Sequence, residues 1–346
     1  MKLSIIVPVY NMAEDGKLDY CMESLLNQTV TDYEIIAVDD CSTDASLEIL
    51  KKYQTQHPEL VKVFHHEVNR RQGGAKNTGL DAAQGEWIGF VDADDWVAPE
   101  FYEKLIRKGE ETGADVVGCN YTLVTEHTMQ VGKTVQNNDQ SECGPATDET
   151  RRKLAMRPGS MVIKVYRHEM IRQNHLDFPD GIFYEDNCAG TVWMLCAGHF
   201  EKVEEPLYYY YQDPKSTVHL ITQDKCRDRM KAGDLLYENC MARGFLEQYP
   251  NEIEYRYTEI YYATTLFSYL SGAEAAGIPA GQQREFIKKL RDGILRTFPD
   301  FQKNPYYNSM MGEEERKLIA VQCHSNLRFY TMYRLLHKVR EWKSRK

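Results

Sequence analysis

Short β-branched runs alternate with helical patterns through the first third of the chain, and no other feature restricts its fold so tightly. Leu3 to Val9, Glu34 to Val38, Val61 to His65 and Trp87 to Val91 are rich in Val or Ile and bounded by polar turn residues, as strands buried on both faces are. Leu18, Met22, Leu25 and Leu26 recur at helical spacing, and Leu47, Leu50 and Tyr53 predict a second helix capped by Ser42 or Thr43. Strand, helix, strand, helix predicts a doubly wound α/β fold.

Beyond this region the pattern changes. From Glu126 to Thr150, Gly, Asn, Gln, Asp and Thr erase the periodicity, which predicts a loop or small hairpin insertion. A strand at Met161 to Tyr166, a helix from about Asp186 to Cys196 and an aromatic strand at Leu207 to Tyr211 follow. After about Asp224 no strand pattern remains, and Ile253 to Leu270, Arg284 to Phe298 and Glu314 to Trp342 are helical. The expected division is therefore an α/β domain over 1–222 and a C-terminal helical domain over 223–346.

The chain of 346 residues carries 42 Lys and Arg against 52 Asp and Glu, a net charge of −10 that argues against nucleic acid as a partner. Pro8 and the early Glu14 and Asp15 break the N-terminal apolar run, so no signal peptide is expected. The longest uncharged stretches, Asn187 to Phe200 and Ile260 to Ala273, are too short for a membrane span. Nine cysteines without a C-x-x-C pair fit reduced thiols and a cytoplasmic location better than a disulfide framework or a zinc site.

In open α/β sheets ligands lodge beyond the carboxyl ends of the strands, so the residues ending each strand matter most. Asp39 and Asp40 close the second strand; Asp92, Asp94 and Asp95 close the fourth. In Asp92-Ala93-Asp94, strand alternation puts both carboxylates on one face. Such a pair suits Mg²⁺ or Mn²⁺ bridging to a diphosphate, although either cluster alone could be a solvated turn.

At this point five segments in order resemble family 2 of the glycosyltransferases, which has the GT-A fold, the Rossmann-like fold of nucleotide-diphospho-sugar transferases. They are Ser4-Ile5-Ile6-Val7-Pro8-Val9-Tyr10-Asn11, Val38-Asp39-Asp40-x-Ser42-Thr43-Asp44, Gly74-Ala75-Lys76-Asn77-x-Gly79, Gly85-Glu86-Trp87-Ile88 and Asp92-Ala93-Asp94-Asp95. The resemblance weakens after Asp95 and ends near His219. It implies that Pro8, Val9, Tyr10 and Asn11 edge a nucleoside pocket, that Asp39 or Asp40 bonds the uracil or ribose, and that Lys76 lies near the nucleotide. Asp92, with Ala93 beside it, would meet the ribose or the metal, and Asp94 the metal and diphosphate. Tyr184-Glu185-Asp186 resembles the family's Glu-Asp pair, with Asp186 as general base and Glu185 as its neighbour. The bland alternative is macrodipole compensation at a helix start.

Tyr208 to Val218 resembles the family's aromatic strand and the loop that closes on the donor. Gln212 stands where Arg is common, so Lys215 or His219 would compensate, His219 as a candidate metal ligand. The tyrosines themselves are better read as core and sheet residues than as sugar platforms. No P-loop or dinucleotide-binding glycine motif is present, and Trp96 stands where an Asp-x-Asp phosphohydrolase needs Thr or Val.

The resemblance therefore implies an inverting, metal-dependent enzyme that moves a sugar from a nucleotide donor, UDP foremost, to a hydroxyl acceptor on a glycan or lipid-linked intermediate of polysaccharide biosynthesis. A non-catalytic sugar-nucleotide-binding module is the alternative. From Arg328 to Lys346 seven basic residues stand against one acidic residue, Glu341, while Phe329, Met332, Leu336 and Val339 recur at helical spacing. That segment reads either as a docked terminal helix or as a peripheral contact with the inner face of the membrane.

Overall fold

The computed structural model describes residues 1–127, 129, 132–213 and 221–344. The chain divides into two compact units, Met1–His219 and Leu220–Lys346.

The first unit is built on one mixed sheet. Its strands are β1 (Leu3–Val9), β2 (Tyr33–Asp39), β3 (Val61–His65), β4 (Trp87–Phe90), β5 (Trp96–Val97), β6 (Val116–Val124), β7 (Lys133–Val135), β8 (Gly144–Pro145), β9 (Lys164–Arg167) and β10 (His199–Tyr211). Their order is β3-β2-β1-β4-β9-β6-β10-β5, with β7 beside β6 and β8 beside β10. Strands β3, β2, β1 and β4 run parallel, so their carboxyl ends share one edge. β9 is antiparallel to both β4 and β6, inserting a reversed strand into the middle of the sheet.

Helices α1 (Lys17–Leu26), α2 (Ser46–Gln56), α3 (Arg71–Ala82), α4 (Phe101–Thr112), α5 (Asp148–Met156), α6 (His168–Gln173) and α7 (Glu185–Cys196) complete the unit. Every residue of β1 is buried, and each fully buried aliphatic side chain such as Ile5, Ile6 or Ile36 contributes about 1.5–3 kcal/mol of burial free energy. The expected cap of α2 is corrected. The helix begins at Ser46, and Ala45 at its cap position makes no side-chain bond. Ser42 Oγ instead accepts from Asn11 N at 3.0 Å, and Thr43 N donates to Asn11 Oδ1 at 2.8 Å. Ser42 thereby satisfies a backbone donor of the Asn11 loop, and Asn11 satisfies that of Thr43 in return.

The segment between β6 and α5 holds the short strand β7, a 3₁₀ turn at Gln140–Glu142 and β8. Beneath it lie two buried lysines. Lys202 Nζ donates to Asn138 O at 2.7 Å, and Lys164 Nζ to Ser160 O at 2.7 Å. Burial pushes the Lys164 ammonium down to about 7, with Glu142 opposing the shift. Because the unfolded chain would hold that proton up to about 10.4, the penalty is full below about pH 7 and fades as pH rises toward the unfolded value. Lys164→Met should therefore stabilise the protein at about pH 6, by on the order of 1–3 kcal/mol. Denaturant unfolding near pH 10 should show that gain diminished.

The second unit is helical among the described residues. It runs α8 (Gln223–Ala242), α9 (Phe245–Gln248), α10 (Pro250–Tyr257), a π-helical turn (Thr258–Thr264), α11 (Thr265–Ala275), α12 (Ala280–Thr297), α13 (Pro305–Met310), α14 (Glu313–His324) and α15 (Asn326–Ser344). The continuous helix expected from Glu314 to Trp342 breaks at Ser325, whose backbone is extended. α15 is docked at its start, with Phe329 buried and Tyr330 Oη donating to Gln283 Oε1 at 2.9 Å. Farther along, Leu335, Leu336 and Val339 are exposed. Among the described residues no helix is long and apolar enough to cross a membrane.

Candidate active site

The carboxyl ends of β1, β2 and β4 share one edge of the sheet, and Lys76 and Asp92 bring the start of α7 to it; local geometry there is unusual. Asn11 after β1, Cys41 after β2, Arg71 at the first position of α3 and Tyr184 before α7 all hold positive φ, between 54° and 65°. A left-handed non-glycine residue costs about 1–2 kcal/mol, and such strain gathers at functional sites.

The two aspartates ending β2 have different surroundings. Asp40 Oδ1 accepts from His66 Nδ1 at 2.7 Å and from Arg70 N at 2.8 Å, and His66 Nε2 continues to Thr78 Oγ1 at 2.8 Å. Asp40 thus ties β2 to the entrance of α3. Asp39 Oδ2 accepts from Ser42 N at 3.2 Å and is 2.8 Å from His65 Nδ1, while Oδ1 is buried without a hydrogen-bond partner. A buried acceptor left unpaired costs about 1–3 kcal/mol, so this oxygen is the one available to a ligand donor. Pro8 and Val9 are buried in β1, Tyr10 is exposed beyond it, and the Asn11 side chain is engaged by Thr43.

The motif around Lys76 is explained by close approach of the chain before α7. A Cβ at Gly73 would collide with the Pro179 carbonyl, one at Gly74 with Arg70 and Asp180, and one at Gly79 with Ile6. Asn77 clamps the same segment, donating from Nδ2 to Phe178 O at 2.8 Å and accepting at Oδ1 from Phe178 N at 2.9 Å. Arg70 pairs with Asp180, and the Arg71 guanidinium lies 4.3 Å from the Phe183 ring centroid. Together these contacts carry Glu185 and Asp186 to α3.

Lys76 Nζ donates to Glu185 Oε1 at 2.9 Å, both side chains being nearly fully buried. Burial works against the Lys76 charge, but Glu185 and Asp92 hold its pKa above the usual value. Asp92 accepts from Gln72. Burial and the nearby Asp94 and Glu185 push the Asp92 carboxyl up to about 6, against the pull of Lys76. Asp186 opens to solvent at the helix start. Surrounding protein and the Glu185 and Asp92 carboxylates raise its pKa, with Lys76 again opposing. The resulting carboxylate is more basic than an isolated one.

Asp95 accepts at Oδ2 from Tyr208 Oη at 2.6 Å and at Oδ1 from Tyr211 N at 2.8 Å, fixing the turn to β10. Among the described residues no side-chain donor is bonded to Asp94, and burial raises its pKa, opposed by a bond from its own backbone and by Lys17. The turn and the α7 start thus gather Asp92, Asp94, Asp95, Glu185, Asp186 and Asp213 against Lys17 and Lys76. This acidic excess, with Asp94 lacking a side-chain donor among the described residues, fits a divalent cation completed by phosphate oxygens and water. No ready cluster of three or more metal-binding side chains exists among the described residues. His219 and Lys215 lie outside the described residues.

Sequence reasoning missed Lys17, Gln72, Asp213 and the histidines on Asp39 and Asp40. Only the adjacency of His65 and His66 to a strand end could have signalled any of them.

Residues 4–177 match the profile described as Glycosyl transferase family 2. The chain belongs to that family. The EpsH protein of Bacillus subtilis strain 168, which carries a glycosyltransferase name, is 32% identical over 318 residues, 87% of this chain and 85% of its own length. The glycosyltransferase YibD of Escherichia coli K12, itself uncharacterized, is 35% identical over 226 residues, 64% of each chain. This family member thus matches just under two thirds of that relative's length. Among solved structures, S. aureus TarS 1–349 in complex with UDP-GlcNAc superposes with a TM-score of 0.67 at 23% identity, covering 97% of this chain and 92% of TarS. That likeness establishes the GT-A fold.

Proposed function

We propose that the chain is an inverting, metal-dependent glycosyltransferase that uses a nucleotide-diphosphate sugar, UDP foremost, and a hydroxyl acceptor on a glycan or lipid-linked intermediate. The observation that carries this reading is the convergence of Asp92, Lys76, Glu185 and Asp186, together with a buried, unpartnered Asp39 oxygen at the carboxyl end of β2. In this reading Asp39, through its unpartnered buried oxygen, accepts from the base of the nucleoside in preference to Asp40, whose Oδ1 is held by His66 and Arg70, and Pro8, Val9 and Tyr10 border it.

Asp186 takes the proton of the acceptor hydroxyl as that oxygen attacks the anomeric carbon and the bond to the diphosphate oxygen breaks. Attack opposite the leaving group in one step inverts the configuration. Glu185, fixed by Lys76, holds the Asp186 backbone in place. A divalent cation held by Asp94 and Asp92 would supply stabilisation of the negative charge on the departing diphosphate. We assign donor binding and catalysis to residues 1–222 and give 223–346 the acceptor side or a self-contact. The exposed Leu335, Leu336 and Val339 beside Lys338 support peripheral contact with an anionic membrane face.

Calorimetric titration with UDP, GDP, CDP and dTDP, with and without Mn²⁺, tests the donor site. Wild type should bind UDP best and more tightly with Mn²⁺, and Asp94→Ala should abolish the metal enhancement. Absence of nucleotide binding by folded protein would remove the donor assignment.

A further inference from the structure

α1 lies against the Asp92–Ala98 segment along a single face. Cys21 Sγ donates to Asp92 O at 3.7 Å, Ser24 Oγ accepts from Val97 N at 3.4 Å, and Gln28, just past the helix, donates from Nε2 to Ala98 O at 2.9 Å. The Tyr20 ring packs edge-on against Trp96 with centroids 4.7 Å apart. One turn before Cys21, the same face carries Lys17.

Lys17 bonds to Asp213, 196 residues away, and the two side chains are only 10% and 9% exposed. Asp213 stands two residues beyond Tyr211, whose N–H is fixed to Asp95. The pair therefore joins the start of α1 to the end of β10 across the turn that bears Asp92 and Asp94. The chain enters Lys17 through two left-handed residues, Asp15 at φ 61° and Gly16 at φ 68°, an arrangement that costs energy at the aspartate. Asp94 and Asp15 add to the field that keeps the Lys17 ammonium charged, although burial acts against it.

For stability alone, an apolar pair would serve as well or better at such a place. A desolvated cation beside a carboxylate turn suits a ligand with its own negative charge. We infer that Lys17 is a binding residue for the diphosphate of the donor, and that Asp213 holds it in place until that diphosphate arrives. The inference rests on the donor reading above and adds to it a cation on the α1 side of the site. Lys76, on α3, is committed to Glu185.

The test compares UDP with uridine, each titrated with Mn²⁺ and with a chelator, on wild type, Lys17→Met, Lys17→Arg and Asp213→Asn, with thermal melts to confirm folding. Losing one charge-assisted bond should weaken UDP binding by Lys17→Met about tenfold or more, with or without metal, and leave uridine binding unchanged. Lys17→Arg should stay within about threefold of wild type. Asp213→Asn should bind UDP at least as well as wild type, because the competing carboxylate is gone. Equal UDP affinity in Lys17→Met and wild type would reduce the pair to a structural clasp. So would parallel loss of UDP and uridine, or a loss in Asp213→Asn as large as in Lys17→Met. Failure of wild type to bind UDP would instead overturn the donor reading, and this inference with it.

Discussion

Asp186→Asn is expected to lower the rate of sugar transfer by about 10²–10⁴-fold, the usual contribution of a positioned general base, while nucleotide affinity stays within about twofold of wild type. The substitution keeps the shape of the side chain and removes its capacity to take a proton. Its surroundings should tolerate the change. Asp186 is exposed at the start of α7, and the Lys76–Glu185 bond that anchors this turn does not involve it. Removing one of three neighbouring carboxylates also relieves repulsion, so folding should not suffer. Release of UDP from a UDP-sugar that wild type turns over, measured beside calorimetric UDP binding, separates the two effects. A near-normal rate would place the base elsewhere. Joint loss of rate and affinity would show damage to the donor site, and wild type that binds donor without turnover would favour the non-catalytic binding module.

Lys76→Met should destabilise the protein by about 3–5 kcal/mol, the cost of leaving a buried charge uncompensated. Glu185 is 3% exposed and takes its described side-chain hydrogen bond from Lys76. Without that ammonium, the buried Glu185 would keep the repulsion of Asp92 and Asp186 with no cation to offset it. Adding Glu185→Leu to Lys76→Met should recover most of the loss, since a well-packed apolar pair can replace a buried ion pair. Denaturant unfolding of the single and double variants gives the coupling directly. A single variant as stable as wild type would mean that water already solvates Glu185. The double variant, although refolded, should lack activity if Glu185 positions Asp186.

Four of the strands that shape the donor edge were legible because hydrophobic runs and turn residues are local signals, repeated within the first 95 positions. β6 was not read, although Val116 and Val117 begin it. Gly118, Asn120 and Thr122 interrupt its apolar run, and its burial comes from β9 and β10 on either side. The caps of α2 misled for a related reason. Ser42 and Thr43 have the right chemistry for a helix start, yet Ser42 satisfies the Asn11 backbone donor and Thr43 donates to the Asn11 side chain.

By itself the sequence determined the α/β order of the first unit, the helical character of the second, and the carboxylates at the ends of β2 and β4. Each of these follows from spacing along the chain. Tertiary structure alone decided which partner each charge has. It separated Asp39, with a buried oxygen lacking a partner, from Asp40, one oxygen of which holds both His66 and Arg70. It also set Lys76 on Glu185 and Lys17 on Asp213, across 109 and 196 residues. Such pairings depend on how closely backbones approach, as at Gly73 and at the Asn77–Phe178 clamp, and on how far water is excluded. Neither quantity is a property of local pattern, because both exist only once distant segments have packed.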